Sequence, residues 1–284
     1  MDELKSRFDA LFTFVSQVEY SRTHPIRVVQ ACKSLVGINP ENPPKVLLRW
    51  LERYLKCFNP SFNKPASDIN EVSPEVITYS HLGNLIINKK QKEAYNYLGY
   101  LLQITGPNHI AEFLIELAAS KSSGSLLFCW SAMRSIQFVG EQEGYPILYH
   151  CISRLLKEEE VIIESDGSAL ERYEICCHQF QIRESEMVRM AKIIPYFDQL
   201  IKTIESNFIQ SEFPDLPEKL KKMINQEGIR GIHAYLNGLK LEGINFELVL
   251  LLDALRSVLQ FSGLSLDKIL SGMFIKSGKD VNDE

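Results

Sequence analysis

The sequence predicts an all-α protein, either a multi-helix bundle or an array of α-hairpins with about a dozen short helices. Apolar residues recur at three- and four-residue steps along most of the chain, which is the period of an amphipathic helix. These periodic segments alternate with connectors of only a few residues, and such short connections join antiparallel neighbours. A β-branched run occurs at Val161–Ser165, where we predict one short extended segment before Asp166-Gly167.

The N-terminal elements follow from periodicity and proline. A single apolar stripe predicts the first helix across Met1–Tyr20. Pro25 starts the second helix and Gly37 ends it, since proline suits a first turn and glycine a C-terminus. Pro43-Pro44 starts a third helix that runs to Phe58. The stretch Asn59–Ser73 is rich in Pro, Ser and Asn and has no helical period, so it is predicted as a loop or a linker.

Beyond this loop the helical rhythm is regular. Helices are predicted at 74–88, 92–105, 108–119, 125–139, 145–159, 170–180, 185–208, 217–226, 229–239, 246–260 and 265–275. Two starts carry a cap signal: Ser168 with Glu171 forms a capping box, and Asn245 precedes a strongly apolar helix.

The predicted organisation has N-terminal helices at 1–58, a loop or linker at 59–73, a central bundle at 74–208, C-terminal helices at 214–276 and a frayed tail at 277–284. The alternative is that all of these pack as one domain, since 284 residues suit either arrangement.

Composition narrows the class of protein. Hydrophobic residues make up 45% and charged residues 24%, as in an ordinary globular protein. The longest apolar run is Val249–Leu252, so we predict no membrane span, and the acidic start at Met1–Lys5 does not resemble a secretion signal. The six cysteines show no metal-finger spacing, which predicts reduced core residues and a cytoplasmic protein. A net charge of −5 disfavours nucleic acid as a partner.

Three of the predicted helices place histidine near carboxylates at helical spacing. The residues are His109, Glu112 and Glu116; Glu143 and His150; and Glu171, Glu174 and His178. Helical-bundle carboxylate proteins with two irons draw Glu and His from facing helices in this way. Hard oxygen ligands and imidazole suit iron or manganese. One functional hypothesis is therefore a helical-bundle metal oxidoreductase that uses these residues.

Helical phase favours a plainer interpretation of the same residues. At about 100° per residue, His109 shares one side of its helix with its two glutamates. His150 shares a side with Arg154 and Lys157, and His178 points away from the apolar residues of its helix. We therefore predict that each histidine lies on a polar, solvated face and makes weak pairs one turn apart.

Other catalytic patterns are missing from the sequence. It contains no nucleophile elbow, phosphate-binding loop, dinucleotide-binding glycine pattern or His-Glu-x-x-His. Cys151 follows His150, and Cys177 precedes His178, but adjacent helical residues point about 100° apart and make poor thiolate–imidazole pairs. Structural cysteines are predicted at both positions.

One segment resembles a winged-helix regulator. Tyr145–Leu156 looks like a recognition helix, and Val161-Ile162-Ile163 with Asp166-Gly167 looks like the wing that follows it. The resemblance implies DNA binding and covers a small part of the chain. Its helix offers only Arg154 and Lys157 as cations before three glutamates, which opposes phosphate contact.

Another segment is similar to the first helix of a tetratricopeptide repeat. It reads Tyr79-x-x-Leu82-Gly83-x-x-Ile86, and a related pattern, Tyr95-x-x-Leu98-Gly99-x-x-Leu102, comes one helix later. The copies stand 16 residues apart, whereas this repeat has a period of about 34. The physical interpretation is that Gly83 and Gly99 let a neighbouring helix approach closely.

A non-enzymatic protein that acts through protein–protein interaction is the leading functional prediction. It requires none of the missing chemistry, and its partner would be another protein or a second copy. Three exposed aromatic candidates, Tyr95, Tyr97 and Tyr100, surround one helix, and Trp50 and Trp130 stand in apolar faces. Aromatic residues at helical spacing are more often core than interface. The sequence fixes neither the partner nor the oligomeric state.

Overall fold

A computed structural model describes residues 2–21, 24–62, 76–157, 169–184, 198–202, 216–264 and 269. Twelve α-helices have their bounds in these residues: α1 Asp2–Ser16, α2 Ile26–Val36, α3 Lys45–Leu55, α4 Tyr79–Ile87, α5 Gln91–Ile104, α6 Pro107–Ala119, α7 Ser123–Val139, α8 Glu141–Lys157, α9 Ala169–Glu184, α10 Glu218–Glu227, α11 Ile229–Asn237 and α12 Phe246–Phe261. One short 3-10 helix spans Leu241–Gly243.

The all-α prediction is confirmed. The described residues contain no strand, and their only β-type pairing is an isolated bridge between Val18 and Pro60. The predicted extended segment at 161–165 lies outside the described residues. So do the loop residues 63–73, nearly all of the helices predicted at 185–208 and 265–275, and the tail at 277–284.

Side-chain caps fix several helix starts. Asn245 accepts a hydrogen bond from the amide of Leu248 at 2.8 Å, which confirms the predicted cap of α12. Ser122 caps α7 and Thr78 caps α4 in the same way. The predicted start of α8 at 145 is wrong: the helix begins at Glu141, and Pro146 lies inside it.

The chain divides into two compact units. The N-terminal unit comprises residues 2–30 and 57–166, and the C-terminal unit comprises 31–56 and 167–284. Each unit combines two stretches of sequence. The domain boundaries predicted from the sequence stay predictions.

In the N-terminal unit, α7 and α8 form the centre. They pack against each other and against α6, and α8 also contacts α1, α4 and α5. Residues 122–136 of α7 and its cap are buried without interruption, and nearly all of 147–156 in α8 are buried too. Both central helices are therefore enclosed on all sides, which is unlike the one-sided burial of a surface helix.

In the C-terminal unit, α9 packs along α12, and α10 packs against α11. Gly231 permits the second contact, because a Cβ at this position would lie 2.3 Å from the carbonyl oxygen of Met223. α11 also contacts α3 and α12.

The close approach predicted for Gly83 is confirmed. A Cβ built on Gly83 would lie 3.1 Å from Cζ of Phe113, so the phenyl ring of α6 packs directly on the α4 backbone. Phe113 also stacks on Tyr79, with ring centroids 5.5 Å apart. The glycine therefore serves helix packing, as the sequence interpretation proposed.

No helix within the described ranges has the length and apolar character required to cross a bilayer.

Candidate functional site

The first predicted group of site residues lies on the surface of α6. His109 is exposed, and its Nδ1 lies 3.3 Å from a carboxylate oxygen of Glu112. Glu116, one turn further on, is half-buried. The prediction of a polar face with a close pair one turn apart is confirmed for His109. Such an exposed pair contributes a few tenths of a kcal/mol at most.

For His150 the prediction of a solvated face is wrong, because its side chain is completely buried. The ring contacts His24 and Phe62, which belong to irregular stretches of the N-terminal unit, residues 17–21 with 24–25 and residues 57–62. These segments cover a side of α8 that would otherwise face water. Glu143 lies in the first turn of α8, and its side chain is outside the described part of the structure.

The same prediction is wrong for His178, which is buried together with Glu174 on α9. Residues 173–179 are all buried, because α9 is enclosed in the C-terminal unit, with α12 along it. Glu171 is half-buried one turn earlier. A helix buried all round has no solvated face, so helical phase alone could not decide exposure here.

The metal hypothesis gains no support from these positions. Within the described residues, no group of three or more His, Cys, Asp or Glu side chains could hold a metal ion. His109 and Glu112 are in contact, but they lie on an exposed helix surface. The di-iron hypothesis therefore stays a prediction.

The contact between His24 and His150 is the most unusual polar feature of the N-terminal unit. Their ring centroids lie 4.6 Å apart with an interplanar angle of 41°. The ring of Phe62 lies 4.6 Å from that of His150, and the ring of Phe128 lies 5.6 Å from that of His24. We call this set of four side chains the histidine cluster. Sequence reasoning missed His24, whose only local signal is its position before Pro25 at the start of α2.

Hydrogen bonds assign a tautomer to each ring of the pair. Nε2 of His150 donates to the carbonyl of Ser16 at 2.8 Å, which leaves a lone pair on Nδ1. Nδ1 of His24 accepts from the amide of Ile26 at 3.4 Å, which leaves the proton on Nε2. Among the described residues, neither His150 Nδ1 nor His24 Nε2 has a hydrogen-bond partner of good geometry. Each ring thus keeps one buried polar atom without a well-formed hydrogen bond.

Burial lowers the pKa of both histidines. For His150, desolvation lowers the pKa to about 4, although the Ser16 carbonyl acts in the opposite direction. For His24, desolvation and then the nearby His150 lower the pKa well below its usual value, against a smaller opposing effect of the Val18 and Val15 carbonyls. Both rings are therefore neutral at pH 7.

Two cations stand at the edge of the histidine cluster. Arg154 donates from Nε to Ser125 Oγ at 3.0 Å and from Nη1 to Tyr20 Oη at 3.3 Å. Lys157 donates to the carbonyl of Tyr20 at 3.4 Å, and its Nζ lies 5.1 Å from the centre of the Tyr20 ring. The Tyr20 ring in turn stacks on His24, with centroids 6.2 Å apart.

These contacts bear on the winged-helix resemblance. Arg154 and Lys157, the two cations of its candidate recognition helix, are engaged with groups of their own unit. The wing lies in residues 158–168, outside the described residues. The DNA-binding alternative therefore stays a prediction.

The cysteines beside the two histidines behave as core residues. Cys151 and Cys177 are buried, and burial raises the pKa of Cys177 well above its usual value. Because the thiolate is the reactive form, a raised pKa makes this thiol a poor nucleophile. Cys32, Cys129 and Cys176 are also buried, whereas Cys57 is exposed.

A different kind of surface lies on the hairpin of α4 and α5. The large hydrophobic side chains most exposed in the described residues are Val76 at 72%, Ile104 at 62%, Ile87 at 50% and Phe246 at 46%. Three of the four belong to this hairpin or directly precede it. Tyr79 Oη and Thr105 Oγ1 lie 3.1 Å apart, which brings the start of α4 beside the end of α5.

The turn of the same hairpin is basic. Lys89, Lys90 and Lys92 are exposed around it, and Glu93 is the only acidic residue between 76 and 106. Lys89 adopts a left-handed backbone, with φ of 57°, which allows the tight reversal between the two helices. We call the exposed residues Val76, Ile87, Lys89, Lys90, Lys92 and Ile104 the hairpin surface.

The aromatic residues of α5 do not contribute to this surface. Tyr95, Tyr97 and Tyr100 are buried, so they are core residues, as aromatic residues at helical spacing more often are, and not exposed interface candidates. Tyr95 contacts Ser153 of α8 at 2.6 Å, and Tyr97 accepts from the amide of Thr78. Trp50 and Trp130 are buried, as their apolar faces predicted.

Comparison with known proteins gives no relative: no protein-family model matches the chain, and neither a curated protein nor a solved structure is similar to it.

Proposed function

We propose that the protein acts by binding another protein through the hairpin surface. The observation that carries the proposal is that one hairpin exposes three large apolar side chains: Val76 and Ile104 at its open end and Ile87 at its turn, each at least half exposed. Isolated apolar residues on a surface are ordinary, but several on one hairpin suggest an interaction site.

The charge of the hairpin indicates the kind of partner. Residues 76–106 contain three lysines and one glutamate, whereas the whole chain has a net charge of −5. A positive apolar surface suits an acidic amphipathic helix of the partner, whose apolar side would cover Ile87 and Ile104. A symmetric contact between two copies of this chain suits it less well, because Lys89, Lys90 and Lys92 of one hairpin would then face the same lysines of the other.

We further propose that both proteins are in the cytoplasm. Five of the described cysteines are buried thiols outside any disulfide, which agrees with a reducing compartment.

A photo-crosslinking amino acid introduced at Ile87 or Ile104 tests the proposal in cells. We expect both positions to give crosslinks to the same acidic partner segment, identified by mass spectrometry. Phe246 on α12 is the matched control, since it is also apolar and exposed. We expect no crosslink from position 246 to that partner.

The purified partner segment then allows a binding measurement. Ile87→Ser with Ile104→Ser should weaken binding at least tenfold, and Lys89→Ser with Lys90→Ser should reduce the dependence of binding on salt. Folding should change by less than about 0.5 kcal/mol, because these side chains are exposed. Crosslinks that form equally at 246, or that join two copies of this chain, would overturn the proposal.

A further inference from the structure

The histidine cluster joins four parts of the N-terminal unit that are distant in sequence. His24 lies just before α2, Phe62 lies in the segment after α3, Phe128 lies in α7 and His150 lies in α8. His150 also holds the end of α1 through the carbonyl of Ser16. Segment 57–62 is tied to the same place, since the amide of Phe62 donates to the carbonyl of Gln17 at 2.7 Å and Pro60 bridges to Val18.

We propose that the contact between His24 and His150 is an acid-sensitive latch: when either ring takes up a proton, residues 17–21 and 57–62 separate from α8. This inference is independent of the hairpin surface and concerns a regulatory property of the fold.

The hydrogen bonds show why a proton is not accommodated in the closed state. A proton added to His24 must go to Nδ1, which already faces the amide N–H of Ile26. A proton added to His150 must go to Nδ1, for which the described residues provide no acceptor. Each protonation therefore places an N–H group and a positive charge in a buried site without a partner.

The described groups around the pair do not neutralise the charge, since the carbonyls of Val15, Ser16 and Val18 offset the effect of burial only in part. The side chains nearby are Tyr20 from residues 17–21, Phe128 from α7, Phe62 from segment 57–62, and Tyr149, Arg154 and Lys157 from α8. The charged members of this set are both cations. A second proton on the other ring would add repulsion at a centroid distance of 4.6 Å. Opening to water relieves all of these costs.

The size of the effect follows from linkage. A histidine in water has a pKa of about 6.5, whereas that of buried His150 is about 4. The open state therefore binds more protons as the pH falls from 7 to 5, and the population of the open state rises on the order of 20-fold from His150 alone. His24 acts in the same direction, since its pKa is lowered too.

Hydrogen exchange measured by mass spectrometry at pH 7 and pH 5 tests the latch in the full-length protein. After correction for the intrinsic exchange rate, we expect protection of peptides that contain Val18 and Phe62 to fall on the order of 20-fold at pH 5. Peptides from α5 in the same unit should lose much less. Equal loss in both regions, or no loss in either, would overturn the proposal.

Matched variants separate the latch from general acid sensitivity. His24→Phe keeps a ring against Phe128, and His150→Gln keeps an N–H donor for Ser16. The double variant should lose most of the pH response. His233→Gln is the control, because His233 makes the same type of contact in the C-terminal unit, with Nε2 2.7 Å from the carbonyl of Asn42. It should leave the response of residues 17–21 and 57–62 unchanged.

If the double variant does not fold, an NMR titration of the wild-type protein still tests the latch. The ring protons of its six histidines can be followed by NMR between pH 7.5 and the onset of opening. Two rings that show no titration until the Val18 and Phe62 peptides lose protection would support the latch. Six rings that all titrate between about pH 6 and 7 with the fold intact would contradict it.

Discussion

In the C-terminal unit a buried carboxylate meets a buried guanidinium, whereas in the N-terminal unit two buried imidazoles meet each other. Asp253 accepts a hydrogen bond from Arg256 Nε at 2.8 Å, and Arg256 Nη1 donates to Gln260 at 2.6 Å. Both members of the ion pair are more than nine-tenths buried. His24 and His150 are equally buried, but neither has an opposite charge beside it among the described residues.

The two sites meet the cost of burying an ionisable group in different ways. The ion pair keeps both charges and depends on both partners being present. The histidine pair avoids charge altogether, because burial lowers both pKa values and leaves neutral rings. We therefore expect the first site to be sensitive to substitution of one partner, and the second to be sensitive to acid.

Asp253→Leu gives the largest expected effect. It leaves the Arg256 cation buried with only Gln260 as a described side-chain partner, and breaking such a pair costs about 3–5 kcal/mol. Asp253→Leu with Arg256→Leu should recover most of this loss, since both charges are then removed. An equal loss in the single and double variants would show that the charges are not what stabilises this contact.

Each unit contains one tryptophan, so their stabilities can be measured separately. Trp50 lies in the C-terminal unit and Trp130 in the N-terminal unit, and the chain has two tryptophans in all. Urea unfolding of Trp130→Phe protein reports on the C-terminal unit, and Trp50→Phe protein reports on the N-terminal unit. Asp253→Leu should move the Trp50 transition and leave the Trp130 transition in place.

Acid should produce the second-largest effect, and in the other unit. The unfolded state binds a proton on His150 at about pH 6.5, but the folded state binds it only near pH 4. Stability is therefore complete above about pH 6.5 and falls as the pH decreases toward 4, by about 3 kcal/mol for this residue. The Trp130 transition measured at several pH values checks this. His24→Phe with His150→Gln should flatten the curve, and an unchanged curve would assign the acid sensitivity to other groups.

Much of the fold could be predicted from the sequence because helix signals are local. The cap at Asn245 and the stripe of α1 depend on residues within one or two turns. The glycine pattern of α4 predicted a close approach at Gly83, but not that its neighbour would be Phe113 of α6. The start of α8 could not be placed as well, since Pro146 suggests a helix start and instead lies inside the helix.

The histidine cluster could not be predicted, for a physical reason. The phase of α8 correctly places His150 on the side of Arg154, but exposure of that side depends on residues 17–21, 24–25 and 57–62. The apolar stripe predicted residues 17–20 as the end of the first helix, whereas α1 ends at Ser16, and residues 59–62 have no periodic pattern, so the position of these segments against α8 is a tertiary property. His24 enters the cluster from one of them, and nothing local distinguishes it from a surface histidine.

Tyr20→Phe, at the edge of the histidine pair, gives the smallest expected effect. It removes the hydroxyl that accepts from Arg154 at 3.3 Å, but Arg154 keeps Ser125 as a partner. The ring still packs on His24 and Phe128. We expect a loss of about 0.5–1 kcal/mol in the Trp130 transition at pH 7. The dependence on pH should be unchanged, because the cations and both imidazoles remain.

Tyr20→Leu is the matched comparison, since it removes the ring as well as the hydroxyl. Without the ring, His24 loses its stacked neighbour and Lys157 loses the aromatic face 5.1 Å away. The loss should rise to about 2–3 kcal/mol. Because the leucine also admits water beside His24, the pKa of His24 should move back toward its usual value and the acid response should become smaller. If both variants behave alike, the hydroxyl rather than the ring keeps water away from the histidine pair. Arg154, which donates to this hydroxyl, then helps to keep both imidazoles neutral.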